Sequence, residues 1–407
     1  MTIGEMHYAT RAAKMRASEI RELLKLLDRP GVISFAGGIP DPALFPTETI
    51  RAGYDAALAS GGAALQYSVS EGYLPLRQWI ADHMASIGVP ATPDNIVITT
   101  GSQQGLDYLG KLFLSPGDTA LIGWPTYLGA LQAFNAYEPR YDRLEPEHGN
   151  TTPEAYRAAA AAAGSRVRLA YLTPDFANPS GQTLSLEARQ RALALAEELD
   201  IPVIEDAAYQ ALRYDGEDIP PLLALDIAAR GGDIDKARVL HCGSFSKTLA
   251  PGLRIGWICA ARGIVQKLVL AKQAADLHTP TINQMVMHHT AVHAYPAQVQ
   301  KIRATYRDRR DRMLAALDRH MPQGVSWTRP EGGMFVWVTL PESLDGAALL
   351  AQAVDQGVAF VPGRAFHADG SHANTLRLAF SLADGAAIED GIGRLGRLIG
   401  EATQAAA

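Results

Sequence analysis

Six short apolar runs, each closing on small or polar residues, constrain the fold most: NIVIT (95–99), TALIG (119–123), VRLAYLT (167–173), IPVIED (201–206), RVLHCGS (238–244) and GWICAA (256–261). Runs this short and this continuously apolar read as strands buried on both faces of a sheet. Helical patterns separate several of them. TGSQQGLDYLGKLF follows the first run, and EARQRALALAEELD (187–200) repeats Leu and Ala at helical spacing with charge on its other face. Strands alternating with helices predict an α/β fold with a mostly parallel sheet. Ligands on such sheets bind at the carboxyl ends of the strands, and the unusual polar residues of this chain fall there.

The last third follows another rhythm. A charged helix is expected from about Pro296 to His320. GGMFVWVTL (332–340), a helix near 345–356, VAFVP (358–362), TLRLAF (375–380) and a final helix through GIGRLGRLIG come after it. This pattern suggests a smaller α+β domain. Ahead of Phe45, ASEIRELLKLLDRPGVISFAGGIPDP reads as a helix and then an extended Gly/Pro stretch, an arm more than a domain. The expected division is an arm with part of the small domain at 1–46, a large domain at 47–295 and a small domain at 296–407. No repeat of 20–50 residues marks a solenoid, and the alanine run 158–163 reads as a surface helix stopped at Gly164.

The chain is slightly acidic, with a formal net charge of −6, which disfavours general binding to nucleic acid. Cys242 and Cys259 are its only cysteines, too few for a disulfide framework or a cysteine-rich zinc site. The opening MTIGEMHYATRAAKMR lacks the apolar centre of a signal peptide, and no run of about 18 apolar residues reads as a membrane span. A cytoplasmic protein is expected. His289 and His293, beside His288, have the spacing for two imidazoles on one helix face. Thr290-Ala291-Val292 lies between them and no third ligand is evident, so a helix surface or subunit contact is expected and a metal is not. His278 reads as packing.

Chemistry concentrates in Gly243-Ser244-Phe245-Ser246-Lys247-Thr248-Leu249-Ala250-Pro251-Gly252-Leu253-Arg254-Ile255-Gly256. Serine hydroxyls and an arginine fork suit a phosphate. A lysine beside a bound phosphate cofactor is placed to form a Schiff base. Alone, Ser-x-Lys is as consistent with an ordinary surface loop. Three further elements follow strand ends upstream: Gly101-Ser102-Gln103 opens a helix, where free N–H groups attract an anion, and Asn178-Pro179-Ser180-Gly181 and Asp206-Ala207-Ala208-Tyr209 come next.

Together these motifs resemble the fold-type I, pyridoxal phosphate-dependent aminotransferases of class I/II, over nearly the whole chain. The resemblance implies a seven-stranded, mostly parallel sheet in the large domain. ASEIRELLKLLDRPGVISFAGGIPDPALFP, LQYSVSEGY, ITTGSQQGLD, KQAADLHTP and RPEGGMFVW are similar to the 2-aminoadipate aminotransferase branch, which includes the kynurenine/aminoadipate aminotransferases. By motif, Lys247 carries pyridoxal 5'-phosphate and acts as the base at Cα. Asp206 pairs with the pyridine nitrogen, which keeps the ring an electron sink. Tyr209 and Asn178 meet the ring's phenolate oxygen, and Tyr127 stacks on the ring face. Ser102, Gln103, Ser244, Ser246 and Arg254 match phosphate-side positions. Tyr67 matches a tyrosine that reaches the phosphate from the partner subunit, which implies a homodimer with shared sites.

For the substrate, the resemblance assigns Arg377 to the α-carboxylate and Gly38 to the N-terminal segment lining the pocket. It aligns Arg21 with an arginine that meets the distal carboxylate of acidic substrates; a solvated helix charge is the equal alternative. Asp175, Ala177 and Trp257 depart from the branch, and Asp175 adds a charge close in sequence to Asn178. The implied reaction moves an amino group from an L-amino acid (2-aminoadipate, glutamate, or an aromatic or branched one) to a 2-oxo acid such as 2-oxoglutarate. A lyase, decarboxylase or synthase of the same fold shares the cofactor motifs. A ligand-sensing regulator is the non-enzyme alternative, though the stretch ahead of Thr47 shows no helix-turn-helix pattern of the needed size.

Overall fold

The computed structural model describes residues 7–9, 11–12 and 31–406. Arg21 and the predicted helix around it lie outside the described residues. A short strand, β1 (Ile33–Ser34), is the first among the described residues. The large sheet follows: β2 (Ile96–Thr99), β3 (Thr119–Ile122), β4 (Arg140–Arg143), β5 (Val167–Leu172), β6 (Val203–Asp206), β7 (Val239–Ser244) and β8 (Gly256–Cys259). Its order is β2-β8-β7-β6-β5-β3-β4. All pairings are parallel except those of β8, which runs antiparallel to both β2 and β7.

The register has a direct consequence for function. Thr99 and Ser244 both sit opposite Gly256, so the carboxyl ends of β2 and β7 flank the amino end of β8. The residues entering β8 therefore arrive at the edge where the parallel strands end. Ile96, Ile98, Leu121, Leu172, Val203 and Val239 pack into one apolar cluster, while Val97, Ala120, Ile122, Leu169, Ile204 and Leu240 pack into another. Alternate residues of these strands thus serve opposite faces, and a two-faced core explains why the inner strands read as mostly apolar runs.

The smaller unit has its own core around Phe335, Val336, Val338, Leu376, Leu378 and Ile392. Strands β9 (Ser326–Trp327), β10 (Phe335–Thr339), β12 (Val361–Pro362) and β13 (Thr375–Ala379) form an antiparallel sheet, and β11 (Val358–Ala359) pairs with β1. The arm is stitched to this unit: Phe35 N donates to Ala359 O at 2.7 Å and Ala379 N to Phe35 O at 2.7 Å.

The charged helix differs from expectation. It runs unbroken over Thr281–His320, 40 residues with Pro296 inside, so the expected boundary at 295/296 falls within one element. At about 1.5 Å per residue such a helix is about 60 Å long and spans both cores. Val286, Met287 and Ala291 contribute to the large-domain cluster, and Ile302, Tyr306 and Met313 to the small-domain one. Among the described residues, no helix is long and apolar enough to cross a membrane.

Candidate active site

The strand ends converge on a cavity of about 150 Å³ lined by Ser102, Gln103, Tyr127, Asn178, Asp206, Tyr209, Ser244, Ser246, Lys247 and Arg254. These ten come from six separate stretches of sequence, each emerging at the same edge of the sheet. Thr173, Ala208 and Pro251 also line it and were not foreseen.

At one end Asp206, the last residue of β6, is 4 % exposed. Its Oδ2 accepts from the Tyr171 hydroxyl at 2.8 Å, and its Oδ1 from Ala208 N at 3.4 Å. Among the described residues it makes no ion pair within 4 Å, and burial pushes its carboxyl above the usual range. A buried acid with only neutral donors fits a cationic ring N–H. Tyr171 is a further residue that sequence reasoning missed. A tyrosine facing the core of a strand needs a partner for its hydroxyl, and that demand was the available signal.

At the other end stands the amino terminus of the helix Ser102–Phe113, whose dipole and free N–H groups favour an anion. Ser246 N donates to Ser244 Oγ at 3.0 Å, and the two hydroxyls lie 2.9 Å apart. Arg254 is exposed, with Nη1 3.3 Å from Pro251 O and Nη2 3.5 Å from Thr100 O. Hydroxyls, a guanidinium and a helix terminus at one end, an unpaired acid at the other and the aromatic Tyr127 between them fit pyridoxal phosphate.

Lys247 stands half-buried in the middle. Its Nζ donates to Gly38 O at 3.0 Å and lies 5.7 Å from the Tyr209 ring centroid. Burial first, then the nearby Arg377 charge, lowers its ammonium to about 8. Burial pushes the Tyr127 phenol up to about 12, and Tyr209 well above its usual value. Asn178 Nδ2 reaches the Tyr209 hydroxyl at 3.5 Å.

Arg377, on β13, is 2 % exposed. Its Nη1 donates to Asn178 Oδ1 at 2.8 Å and its Nη2 to Ala36 O at 2.7 Å, while Nε has no partner. Its guanidinium sits 4.3 Å from the Phe335 ring centroid and 5.1 Å from that of Phe366. Burial lowers it to about 10. Among the described residues this buried guanidinium has no acidic partner, which leaves capacity for a carboxylate. The arm brings Gly38 to Lys247 and Ala36 to Arg377, so the expected pocket-lining segment does meet both groups.

Other residues fall elsewhere. Tyr67 is 80 % exposed on this chain, its ring edge-on to His278 at 5.9 Å. Asp175 does not add charge to the cavity: its Oδ1 is bound by Arg189 at 2.6 Å and faces Arg213 at 3.8 Å, all three side chains being buried. Trp257 packs against Phe245 in the core, ring centroids 4.9 Å apart. Ala177 lines a separate, wider cleft of about 740 Å³ next to Asn178. The His289 and His293 rings lie 4.4 Å apart, and no cluster among the described residues has three or more groups able to hold a metal.

Known proteins resemble this chain over nearly its whole length. The family of class I and II aminotransferases matches residues 31–395. A 2-aminoadipate transaminase of Thermus thermophilus is 43 % identical over 95 % of both chains. Aromatic-amino-acid aminotransferase 1 of Thermococcus litoralis is 43 % identical over 98 % of this chain and 95 % of its own. The crystal structure of the α-aminoadipate aminotransferase LysN of Thermus thermophilus, complexed with N-(5'-phosphopyridoxyl)-L-leucine, superposes with a TM-score of 0.88 at 40 % identity over 100 % of both chains. The family match and the near-complete coverage agree: the chain belongs to the class I and II aminotransferases, as a pyridoxal phosphate-dependent transaminase of the 2-aminoadipate and kynurenine/aminoadipate branch.

Proposed function

We propose that this transaminase takes both acidic and aromatic L-amino acids, 2-aminoadipate and glutamate among the former, and passes their amino group to 2-oxoglutarate. The observation that carries the reading is Arg377, a buried guanidinium without an acidic partner beside Asn178 and Lys247. It recognises the α-carboxylate common to all these substrates, and the side chain is left to other groups. The names of the two relatives, one for 2-aminoadipate and one for aromatic amino acids, support a broad choice.

When bound, pyridoxal phosphate supplies an aldehyde for the amine and a ring that withdraws electrons from Cα. Ser102, Ser244, Ser246, Arg254 and the helix terminus hold the phosphate, with Gln103 behind them. Tyr127 packs on the ring, Asp206 holds the proton on its nitrogen, and Asn178 and Tyr209 meet its hydroxyl side. Lys247 Nζ would hold the cofactor, and its neutral amine would take the proton from the substrate Cα. An ammonium lowered to about 8 by its burial leaves a useful fraction neutral near pH 7, as a base requires. Gly38 and Ala36 close the arm over substrate.

Tyr67 belongs to the neighbouring site of a homodimer. Its exposure here, together with that of Leu65, Val69 and Leu74, supports a surface covered by a second copy. Both cysteines are free and buried, which supports a reducing, cytoplasmic setting. Arg21 contributes to the distal carboxylate of acidic substrates.

A panel of single half-reactions tests the substrate reading. Purified protein is mixed with one amino acid at a time and the visible absorption of its cofactor is followed. Conversion is expected with 2-aminoadipate, glutamate, phenylalanine and kynurenine, and Arg21→Ala slows only the acidic donors. Conversion by one class alone would contradict the breadth proposed here.

A further inference from the structure

Lys272, outside the catalytic cavity, has its side chain fully shielded from solvent. It sits in the last turn of the helix Arg262–Gln273. Its Nζ lies 3.0 Å from Asp276 Oδ1, 3.0 Å from Asp276 Oδ2 and 3.0 Å from Gln104 Oε1, which uses all three of its protons. Removing a charge from water costs several kcal/mol, and an ion pair alone seldom recovers it. What the pair touches next gives it a role.

Gln104 Oε1 also accepts from Thr100 N at 2.8 Å, and its Nε2 donates to Asp276 Oδ2 at 2.7 Å. The Thr100 hydroxyl donates to Asp276 Oδ2 at 3.2 Å and meets Thr279 Oγ1 at 3.1 Å. Thr100 is thus fixed by its N–H and its side chain, and its carbonyl faces Arg254 Nη2 at 3.5 Å. The next residue, Gly101, has φ +78°, and a Cβ there would lie 2.3 Å from Arg254 Nη2. Ser102 follows at the cavity wall. One chain of contacts runs from the buried lysine to the serine, the helix terminus and the arginine at the anion end of the site.

We infer that Lys272, Asp276 and Gln104 are positioning residues for the cofactor phosphate. They hold the Thr100–Ser102 turn and the Arg254 guanidinium in a binding geometry before the cofactor arrives, and they touch neither cofactor nor substrate. The inference rests on the phosphate-side reading of Ser102 and Arg254. Its distinctive consequence is selectivity: loosening the network weakens binding of the phosphate group and spares binding of the ring.

The full chain, freed of cofactor by dialysis, is titrated with pyridoxal phosphate and with pyridoxal, which has the same ring and aldehyde but no phosphate. Lys272→Met is expected to weaken pyridoxal phosphate binding by about tenfold, the effect of roughly one lost charge-assisted contact, and to change pyridoxal binding by less than about twofold. Gln104→Leu cuts the link while leaving the ion pair intact and is expected to move the ratio in the same direction, so the test survives if Lys272→Met folds poorly. Arg254→Gln serves as the reference for direct phosphate loss. If both network variants keep the wild-type ratio, or lose both ligands equally, while Arg254→Gln collapses it, the network is only structural and the inference is overturned. If Arg254→Gln itself keeps the ratio, the phosphate reading falls and takes the inference with it.

Discussion

In the proposed function Lys247 serves as anchor and as base at different moments, and its desolvation suits it to both. A lysine at its ordinary value is almost wholly protonated near pH 7 and reacts slowly with an aldehyde. Here desolvation and the Arg377 charge bring the ammonium to about 8. The neutral amine is the reactive form, so the rate at which cofactor-free protein captures pyridoxal phosphate should rise with pH and level off above about 8. Removing the charge in Arg377→Gln takes away the second cause, so the midpoint should move upward. Stopped-flow absorbance across pH 6–10 checks both; a rate still climbing at pH 10 in the wild type would contradict them. Arg377 has a second signature. Arg377→Lys keeps a charge but loses the fork, and kcat/KM for every amino acid should fall by on the order of 10²-fold. A loss confined to acidic donors would instead assign Arg377 to the side chain.

Elements matter here through how closely they approach. The amino end of β8 lies against the helix that begins at Ser102, and a Cβ on Gly256 would stand 2.6 Å from Ser102 N. Gly256→Ala should therefore cost about 1–3 kcal/mol of stability by overpacking and weaken cofactor binding at the same time. Denaturant unfolding with and without pyridoxal phosphate separates the two effects. The turn that carries Asn178 is tied down differently. Asp175 lies between Arg189 and Arg213, and Phe176 has φ +50°. Asp175→Ala leaves the buried Arg189 without its acid and should cost roughly 3–5 kcal/mol. From sequence, Asp175 reads as charge for the pocket, because only its distance from Asn178 along the chain is visible there. Which way a turn residue points depends on backbone dihedrals and on Arg189, 14 positions away. Strand β4, RYDR, escaped notice for another reason: it is a polar edge strand without the apolar run that marks its neighbours. From sequence the long helix reads only from about Pro296, because a proline usually interrupts a helix. Packing against both cores holds it continuous.

Over the whole molecule, the sheet and the cofactor cavity were legible, because buried strands advertise themselves by composition and the polar residues sit where they end. Ten assigned positions share one cavity. Tyr67 and Arg21 were legible only as motif matches, since the role proposed for one needs a second subunit and the other lies outside the described residues. The dimer proposal has a direct test. Mixing Lys247→Ala protomers, which keep Tyr67, with Tyr67→Ala protomers, which keep Lys247, should restore activity above that of either alone, because a hybrid dimer rebuilds one complete site. No restoration after subunit exchange, confirmed by native mass spectrometry, would place Tyr67 in its own chain's site or in none.

The most direct measurement concerns the proton that Lys247 is held to move. 2-Aminoadipate deuterated at Cα is incubated with wild-type protein or Lys247→Ala, each supplied with pyridoxal phosphate, and the loss of deuterium to water is followed by NMR. The account predicts rapid wash-out by the wild type and a rate on the order of 10²–10⁴-fold lower in the variant, the usual contribution of a positioned base. Wash-out by Lys247→Ala at the wild-type rate would contradict it.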